Sequence, residues 1–341
     1  MYSSLKNIRK KKNYGLEILR MLMSFWIVLN HLYKPKNKRI KNIIIEHKFH
    51  VPTFLILSFY FLNSNLLLRN IKKIKERLER LLIPFIIYPT LTFIVYNFLY
   101  FFFDFKSLKT NLYQLIRQLI VGRGIYGILW FHFNLILITI YLYIISFIFK
   151  NNYLLLLQII AIFSYLIQFS EYNYKFFIRY SDNIKYSVGY FAETIPLAVT
   201  GLSISYINIL MKLEKKRFIS IFFSILFLFI FFKYDIFTPV KGFGKQGIMY
   251  NFGGICFFLI FALIPIDNLN NKYIIVIKYI TSYTPGIYFL HPKIYNIFKS
   301  KIFSIKHCTF SGCILIYLIC YWISYIFSNI FKNKKIKYLF I

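Results

Sequence analysis

The stretch GLEILRMLMSFWIVLNHLY, residues 15–33, is long and apolar enough to cross a bilayer, yet it carries Glu17, Arg20 and His31. Glu17 precedes Arg20 by three positions, so the two side chains can pair on one helix face. Arg20 and His31 are eleven residues apart, about 20° from three whole turns, and lie roughly 16 Å apart along the axis. Ionisable groups inside a spanning helix are costly unless they face protein or a water-filled cavity. We therefore expect this stripe to face a site.

The rest of the chain shares this apolar character. Its 341 residues are 58% hydrophobic and 22% aromatic, far above the average of soluble proteins. Apolar runs of spanning length predict an all-α, polytopic integral membrane protein with about ten transmembrane helices in one bundle. The expected helices cover residues 15–33, 51–68, 81–103, 127–149, 153–169, 186–210, 218–232, 248–265, 274–298 and 311–330.

The organisation of the chain predicts one membrane domain. No stretch is long or polar enough for an appended soluble domain, so residues 1–341 are expected to form a single domain with basic tails at 1–14 and 331–341. The lysines at 10–12 favour a cytoplasmic N-terminus, and ten spans then return the C-terminus to the cytoplasm. In a bacterium, this is the cytoplasmic (inner) membrane. The loops at 170–185 and 233–247 are the main extracytoplasmic candidates.

The charge of the chain indicates its surroundings. In a soluble protein, a formal net charge of +32 indicates binding to nucleic acid. Here, however, the Lys and Arg residues lie mostly in short segments between apolar runs. Anionic membrane lipid is therefore the expected partner, and nucleic acid is not. The basic segment RNIKKIKERLER, residues 69–80, predicts a short interfacial helix before the third span. The four cysteines show neither zinc nor disulfide spacing, and no metal is expected.

Polar residues also mark the start of the second and third spans. His50-Val51-Pro52 opens the second, with Pro52 in the first turn where its missing N–H is not needed, and Ser58 follows. His50 either holds the loop or lines the mouth of a cavity. Arg77 and Arg80 fall on one face at the start of the third span. They serve either as positive-inside anchors or as ligands of a diphosphate.

Two later segments complete the set of candidates. Trp130-Phe131-His132 opens the fourth span and is compatible with an aromatic belt at the interface, and His132 alone carries little signal. In the ninth span His291 immediately precedes Pro292, which disfavours helix at His291 and predicts a broken helix lining a cavity.

In their order and spacing these segments resemble the acyltransferase-3 family of polytopic bacterial membrane acyltransferases. The matching pieces extend over residues 15–292. They are E-x-x-R followed by ten residues and His (Glu17, Arg20, His31), HVPTFLILS (50–58), R-x-x-R-L-L-I-P-F (77–85), LWF (129–131) and GIYFLHP (286–292). One departure is Ser58-Phe59, where many members have Ser-Gly, so close backbone approach is not expected at that point.

The resemblance implies an O-acyltransferase that moves an acyl group, usually acetyl, from cytoplasmic acetyl-CoA or another acyl-CoA to a hydroxyl of a surface or envelope carbohydrate. With no appended hydrolase-like domain, either the membrane domain alone or a separate partner protein for glycan synthesis or export completes the transfer. The residue roles that follow are catalytic for Glu17, Arg20 and His31, cofactor-binding for Arg77 and Arg80, and substrate-binding for His50, Ser58, Trp130 and His291.

Two questions stay open at this level. His31 could be a general base toward the sugar hydroxyl, or it could carry the acyl group transiently. The spans, the broken ninth helix and the buried ionisable groups are also compatible with a transporter or a flippase for a glycan or lipid-linked intermediate, without acyl-transfer chemistry. A structural membrane subunit is the third alternative, and it predicts that His31→Ala changes only stability or assembly.

Overall fold

The fold is known from a computed structural model. It describes residues 13–33, 49–62, 66, 70–103, 110–122, 124–125, 127–149, 152–169, 194–205, 217–232, 248–263, 271–299, 308–331 and 333–340. The regular elements in these ranges are helices, and the single β contact within them is an isolated parallel bridge between Tyr33 and Cys308. The expected loops at 170–185 and 233–247 and the N-terminal tail up to residue 12 lie outside the described ranges.

The helices follow the apolar runs of the sequence. They are α1 (Tyr14–Leu32), α2 (His50–Tyr60), α3 (Ile71–Phe103), α4 (Leu112–Val121), α5 (Trp130–Phe149), α6 (Tyr153–Phe169), α7 (Thr194–Ser205), α8 (Arg217–Phe232), α9 (Ile248–Leu263), α10 (Asn271–Ser282), α11 (Thr284–Lys299), α12 (Phe310–Ile330) and the short α13 (Lys334–Lys337).

Four helices of the described chain are long and apolar enough to cross a membrane. They are α1, α3, α5 with the 3-10 turn before it, and α12. Shorter apolar helices, including α2, α7 and part of α9, pack among them. The prediction of an all-α membrane protein is confirmed. The count of ten spans stays a prediction.

The start of the third span differs from the expectation. Residues 69–80 were expected to form a separate interfacial helix, but α3 runs without a break from Ile71 to Phe103. Its basic first part is rich in Lys, Arg and Glu, which are good helix formers. No helix-breaking residue precedes Pro84 in this helix. Pro84 and Pro89 both lie inside α3, because neighbouring groups in a membrane bundle can satisfy the backbone that a proline frees. The expectation of two elements was wrong.

The ninth span breaks at a different residue from the one expected. A break was predicted at His291-Pro292, but α11 passes through Pro292, and the interruption is a turn at Tyr283 between α10 and α11. Pro285 explains why α11 starts at Thr284, because a proline in the first turn of a helix needs no N–H partner and has a preset φ. His291 therefore lies inside a helix, and the prediction of a break there was wrong.

Helix α1 occupies the centre of the bundle. It packs against α2, α9, α10, α11 and α12, and it is the most buried of the four long apolar helices. The Asn13 side chain caps its start by accepting from the Leu16 N–H at 3.3 Å, and it donates to the Ala262 carbonyl at 2.7 Å. The bridge between Tyr33 and Cys308 fixes its other end. Arg20 and His31 thus lie on a helix that is held at both ends.

Close helix packing depends on small residues, as expected for helices in a membrane. Gly201 of α7 lies so close to α2 that a Cβ atom would collide with the Ile56 carbonyl oxygen. A backbone atom cannot move aside as the end of a flexible side chain can. Helix α7 therefore has to shift away from α2 if residue 201 gains a side chain.

We expect Gly201→Ala to destabilise the protein by on the order of 1–3 kcal/mol, because overpacking outweighs the better helix propensity of alanine. The measurement is the thermal unfolding midpoint in detergent, which should fall by several degrees. Gly127→Ala is the matched control, since a Cβ atom at Gly127 meets nothing within 4 Å. Equal midpoints for the two variants would contradict the close approach of α7 to α2.

Candidate active site

The ion pair predicted on α1 is present. The Arg20 Nη1 donates to the Glu17 Oε2 at 3.1 Å, so the prediction that these side chains pair on one face is confirmed. The side chains of Arg20 and Glu17 are 33% and 28% exposed. Within the described residues Arg20 makes this one bond, and because a guanidinium has five N–H donors, Arg20 is able to bind a further anion.

The opposite end of α1 brings two histidines together. His31 is in the last turn of α1 and is exposed, whereas His291 of α11 is fully buried. Their ring centroids are 5.5 Å apart, with an angle of 39° between the ring planes. Two sequence candidates separated by most of the chain therefore share one location.

His291 is held by its own helix. Its Nδ1 lies 3.1 Å from the Ile287 carbonyl oxygen, one turn earlier. Its Nε2 is buried and makes no hydrogen bond to any residue that the structure describes. Tyr288, on the same helix, has its ring centroid 6.3 Å from that of His291 and donates its hydroxyl to the Ile128 carbonyl at 2.5 Å.

His132 also belongs to this region, although little in the sequence marks it as a site residue. Its ring centroid lies 4.5 Å from that of Phe289 and 5.1 Å from that of Tyr288. The His132 Nδ1 is buried and, within the described ranges, makes no hydrogen bond. The available signal was its place at the start of an apolar span, two residues after Trp130. Imidazoles from α1, α5 and α11 thus surround one part of the bundle.

Two further predicted residues lie nearby. Trp130 packs on Phe131, with centroids 6.0 Å apart, and the Phe131 centroid is 6.2 Å from that of Tyr288. His50 is buried at the start of α2, next to Phe49, whose ring centroid is 5.2 Å from that of Trp26 on α1. The structure therefore places Trp130 beside the α5–α11 contact and His50 near the α1–α2 contact.

Arg77 ties three helices together. Its Nη2 donates to the Ser58 hydroxyl at 2.8 Å, its Nη1 to the Ser58 carbonyl at 3.3 Å, and its Nε to the Thr139 hydroxyl at 3.1 Å. Its guanidinium carbon lies 5.2 Å from the Phe59 ring centroid, which is within cation–π range. Two predicted residues, Ser58 and Arg77, are thus brought together. Thr139 is a partner that the sequence did not suggest, since it is a single hydroxyl within an apolar run.

The two arginines of the R-x-x-R segment have different surroundings. Arg77 points into the α2–α5 contact, whereas Arg80, three residues later, is exposed. Phe59, the residue that departs from the Ser-Gly pattern, is fully buried under the Arg77 guanidinium. The R-x-x-R pattern does not distinguish Arg77 from Arg80, but in the structure Arg77 is half-buried and hydrogen-bonded whereas Arg80 is exposed.

Helix directions show which groups share an end of the bundle. Lys278 of α10 lies 4.9 Å from the Tyr14 ring at the start of α1, and His291 meets His31 at its end, so α10 and α11 run parallel to α1. Tyr288 binds the Ile128 carbonyl, and Lys293 binds the Ile125 carbonyl. The chain that enters α5 therefore runs in the opposite direction.

This arrangement separates the cations from the imidazoles. Thr139 follows His132 by seven residues, which is two turns and roughly 10 Å along α5, on the same face. Because α5 runs antiparallel to α1, Thr139 and its partner Arg77 lie toward the Arg20 end. The guanidinium groups thus occupy one end of the site, and His31, His132 and His291 occupy the other.

A bundle of apolar helices with arginines at one end and paired histidines at the other can bind an anionic group at the first end and move a proton at the second. The comparison with protein families identifies the class. The model of an acyltransferase domain matches residues 13–338, and the chain belongs to the acyltransferase-3 family. It is therefore an integral membrane acyltransferase, and family membership favours an enzyme over the transporter and structural-subunit alternatives.

Other comparisons add no relative. No curated protein and no solved structure matches the chain. Among the described residues, no three His, Cys, Asp or Glu side chains lie close enough together to hold a metal ion.

Proposed function

We propose that the protein moves an acyl group, acetyl in the first instance, from acyl-CoA to a hydroxyl of a cell-surface or envelope carbohydrate. One observation carries the proposal: in a membrane acyltransferase, the guanidinium groups and the paired histidines lie at opposite ends of one site. Such a site suits a donor that brings phosphates to one face and an acceptor that arrives from the other.

The donor side is the end with the arginines. Arg20 and Arg80 are accessible, and guanidinium groups form strong charge-assisted bonds with phosphates. To the described residues Arg77 makes three bonds, with Ser58 and Thr139, so two of its five donors are left for a phosphate at the inner edge of this surface. The lysines at 10–12, which precede α1, favour a cytoplasmic position for this end, in the inner membrane with both termini cytoplasmic.

The acceptor side is the end with the histidines. His31 is exposed, so it can meet both the acyl group and a hydroxyl, either as general base or as a transient acyl carrier. We assign sugar binding to His291, Trp130 and His50, which lie beside His31, beside the α5–α11 contact and near the α1–α2 contact, respectively. Ser58 belongs to the donor side of the site, because its hydroxyl accepts a hydrogen bond from Arg77. A separate partner protein that presents the glycan is compatible with this arrangement.

The proposal is tested by glycan O-acetylation in cells that express the wild type, His31→Ala or Arg20→Ala at matched membrane levels. The expected result is an ester-linked acetyl group on an envelope or secreted carbohydrate, detected by mass spectrometry and lost after mild alkali. Both variants should lose it. Acetylation that is unchanged in both variants, or independent of the wild-type chain, would contradict the proposed function.

The donor surface gives a kinetic prediction. Arg80→Gln should raise the KM for acyl-CoA about tenfold or more, with kcat little changed, because one charge-assisted hydrogen bond to a phosphate is worth roughly 1.5–3 kcal/mol. The control is Lys72→Gln, an exposed cation two turns earlier on α3. An unchanged KM in Arg80→Gln, or an equal rise in Lys72→Gln, would show that Arg80 does not bind the donor specifically.

A further inference from the structure

The hydrogen bond of His291 fixes which of its nitrogens carries a proton. The Nδ1 lies 3.1 Å from the Ile287 carbonyl oxygen, and a carbonyl oxygen can only accept. The proton therefore sits on Nδ1. In the neutral ring, the Nε2 then holds a lone pair and acts as an acceptor.

The Nε2 of His291 is both buried and unused. The residue is fully buried, and this nitrogen has no hydrogen-bond partner among the residues described. Buried polar atoms in native proteins are nearly always satisfied, and this nitrogen is one of several unpaired atoms in the described residues, with its ring 5.5 Å from that of His31. Pro292 follows directly and has no N–H, so the Tyr288 carbonyl lacks its usual helical donor in this turn of α11.

The aromatic neighbours of the His291 ring belong to the proposed acceptor side. His31, on helix α1, has its ring centroid 5.5 Å from that of His291. Tyr288, on α11, has its ring centroid 6.3 Å from that of His291. The Tyr288 hydroxyl is already engaged with the Ile128 carbonyl, which makes His291 the better placed of the two to accept a proton. His31 is exposed and His291 is not, so the pair presents one accessible and one enclosed imidazole.

We propose that His291, rather than His31, is the general base toward the acceptor hydroxyl. This inference rests on the proposed function. The hydroxyl oxygen forms the new C–O bond with the acyl carbon, and its proton moves to the His291 Nε2. The bond from the acyl carbon to its leaving group breaks, and the leaving group departs with that electron pair. The leaving group is the CoA sulfur if transfer is direct, or a His31 nitrogen if His31 carries the acyl group.

This assignment divides the labour between the two rings. His31 contacts the acyl group, as carrier or as a hydrogen-bond donor to its carbonyl, and His291 removes the proton. The Ile287 carbonyl acts as the positioning group, because its bond to Nδ1 keeps the Nε2 lone pair directed away from the helix backbone.

The test uses two substitutions of His291 in the full-length protein. The amide of His291→Asn can still donate to the Ile287 carbonyl from the position of Nδ1, but it places no base at Nε2. We expect His291→Asn to keep the wild-type unfolding midpoint and KM for acyl-CoA, while kcat falls about a hundredfold or more. His291→Gln has an amide that reaches the Nε2 position yet cannot take a proton, and it should lose kcat to a similar extent.

The outcomes separate the inference from the proposed function. A folded His291→Asn or His291→Gln variant with kcat within about threefold of the wild type, far less than loss of a general base costs, would overturn the role of His291 and leave the acyltransferase proposal intact. Absence of acyl transfer in the wild type, with acetyl-CoA as donor and a panel of envelope glycans as acceptors, would overturn the proposed function itself. A loss of kcat with unchanged KM and midpoint supports the base.

Discussion

Replacing His31 with alanine is expected to lower kcat for acyl transfer by about a thousandfold or more while the KM for acyl-CoA stays near the wild-type value. The physical reason is position: His31 is the exposed member of the histidine pair, 5.5 Å from His291, and it lies at the end of the bundle opposite the proposed phosphate ligands. Removing it takes away the proposed contact with the acyl group and leaves the proposed donor-binding charges in place.

The control for His31→Ala is Leu22→Ala. Leu22 lies on the same helix and is 39% exposed, so its loss removes apolar surface from α1 without touching the histidines. Kinetics of purified protein in detergent with labelled acetyl-CoA measure both constants. If His31→Ala retained kcat, or if Leu22→Ala lost it equally, His31 would be a structural residue of α1.

Replacing Arg77 with methionine is expected to destabilise the protein by on the order of 3 kcal/mol or more, a larger effect on stability than that of any other single change proposed. The guanidinium binds the Ser58 carbonyl, the Ser58 hydroxyl and the Thr139 hydroxyl, and methionine fills the volume but donates nothing. The polar groups of α2 and α5 then lose a charged partner inside an apolar bundle.

Two matched variants make the Arg77 prediction specific. Arg80→Met removes a cation from the same helix where it is exposed, and it should leave the unfolding midpoint unchanged. Thr139→Val removes one of the three bonds and should cost about 1 kcal/mol. The measurement is the thermal midpoint in detergent together with the yield of monodisperse protein. A stable Arg77→Met variant whose only defect is a raised KM would identify Arg77 as a donor ligand alone.

The local features of α1 could be predicted from the sequence because they depend on helix geometry. The i, i+3 spacing of Glu17 and Arg20 is sufficient for an ion pair, and the structure shows it at 3.1 Å. The apolar runs likewise predicted an all-α membrane fold, since a bilayer permits few other ways to satisfy the backbone. One local signal was missed: Asn111 and Gln114 form a capping box at the start of α4, and Gly122 ends it with a φ of 75°.

The long-range features could not be predicted in this way. His31 and His291 belong to helices far apart in sequence, and no spacing rule states that α11 lies against α1. Similarly, R-x-x-R places Arg77 and Arg80 on one face, but only the position of Thr139 on α5 shows that Arg77 is the inward one. These contacts are set by packing among helices, which periodicity within one helix does not encode.

The prolines show a limit of local rules in a membrane protein. Pro292 was expected to break its helix, yet α11 starts at Thr284 beside Pro285 and continues through Pro292. A proline in a spanning helix is tolerated when nearby groups satisfy the freed carbonyls, and those groups are known only from the tertiary structure.

The central claim is that acyl-CoA is bound at the arginine end and the acyl group is delivered from the histidine end. Proteoliposomes with uniformly oriented protein test it most directly, because acyl-CoA does not cross the bilayer unaided. Labelled acetyl-CoA is supplied on one face and a glycan acceptor on the other, in both arrangements. The account predicts transfer only when the donor is on the Arg20 and Arg80 face, and none with His31→Ala. Equal transfer from both faces, or wild-type transfer no greater than that of His31→Ala, would contradict it.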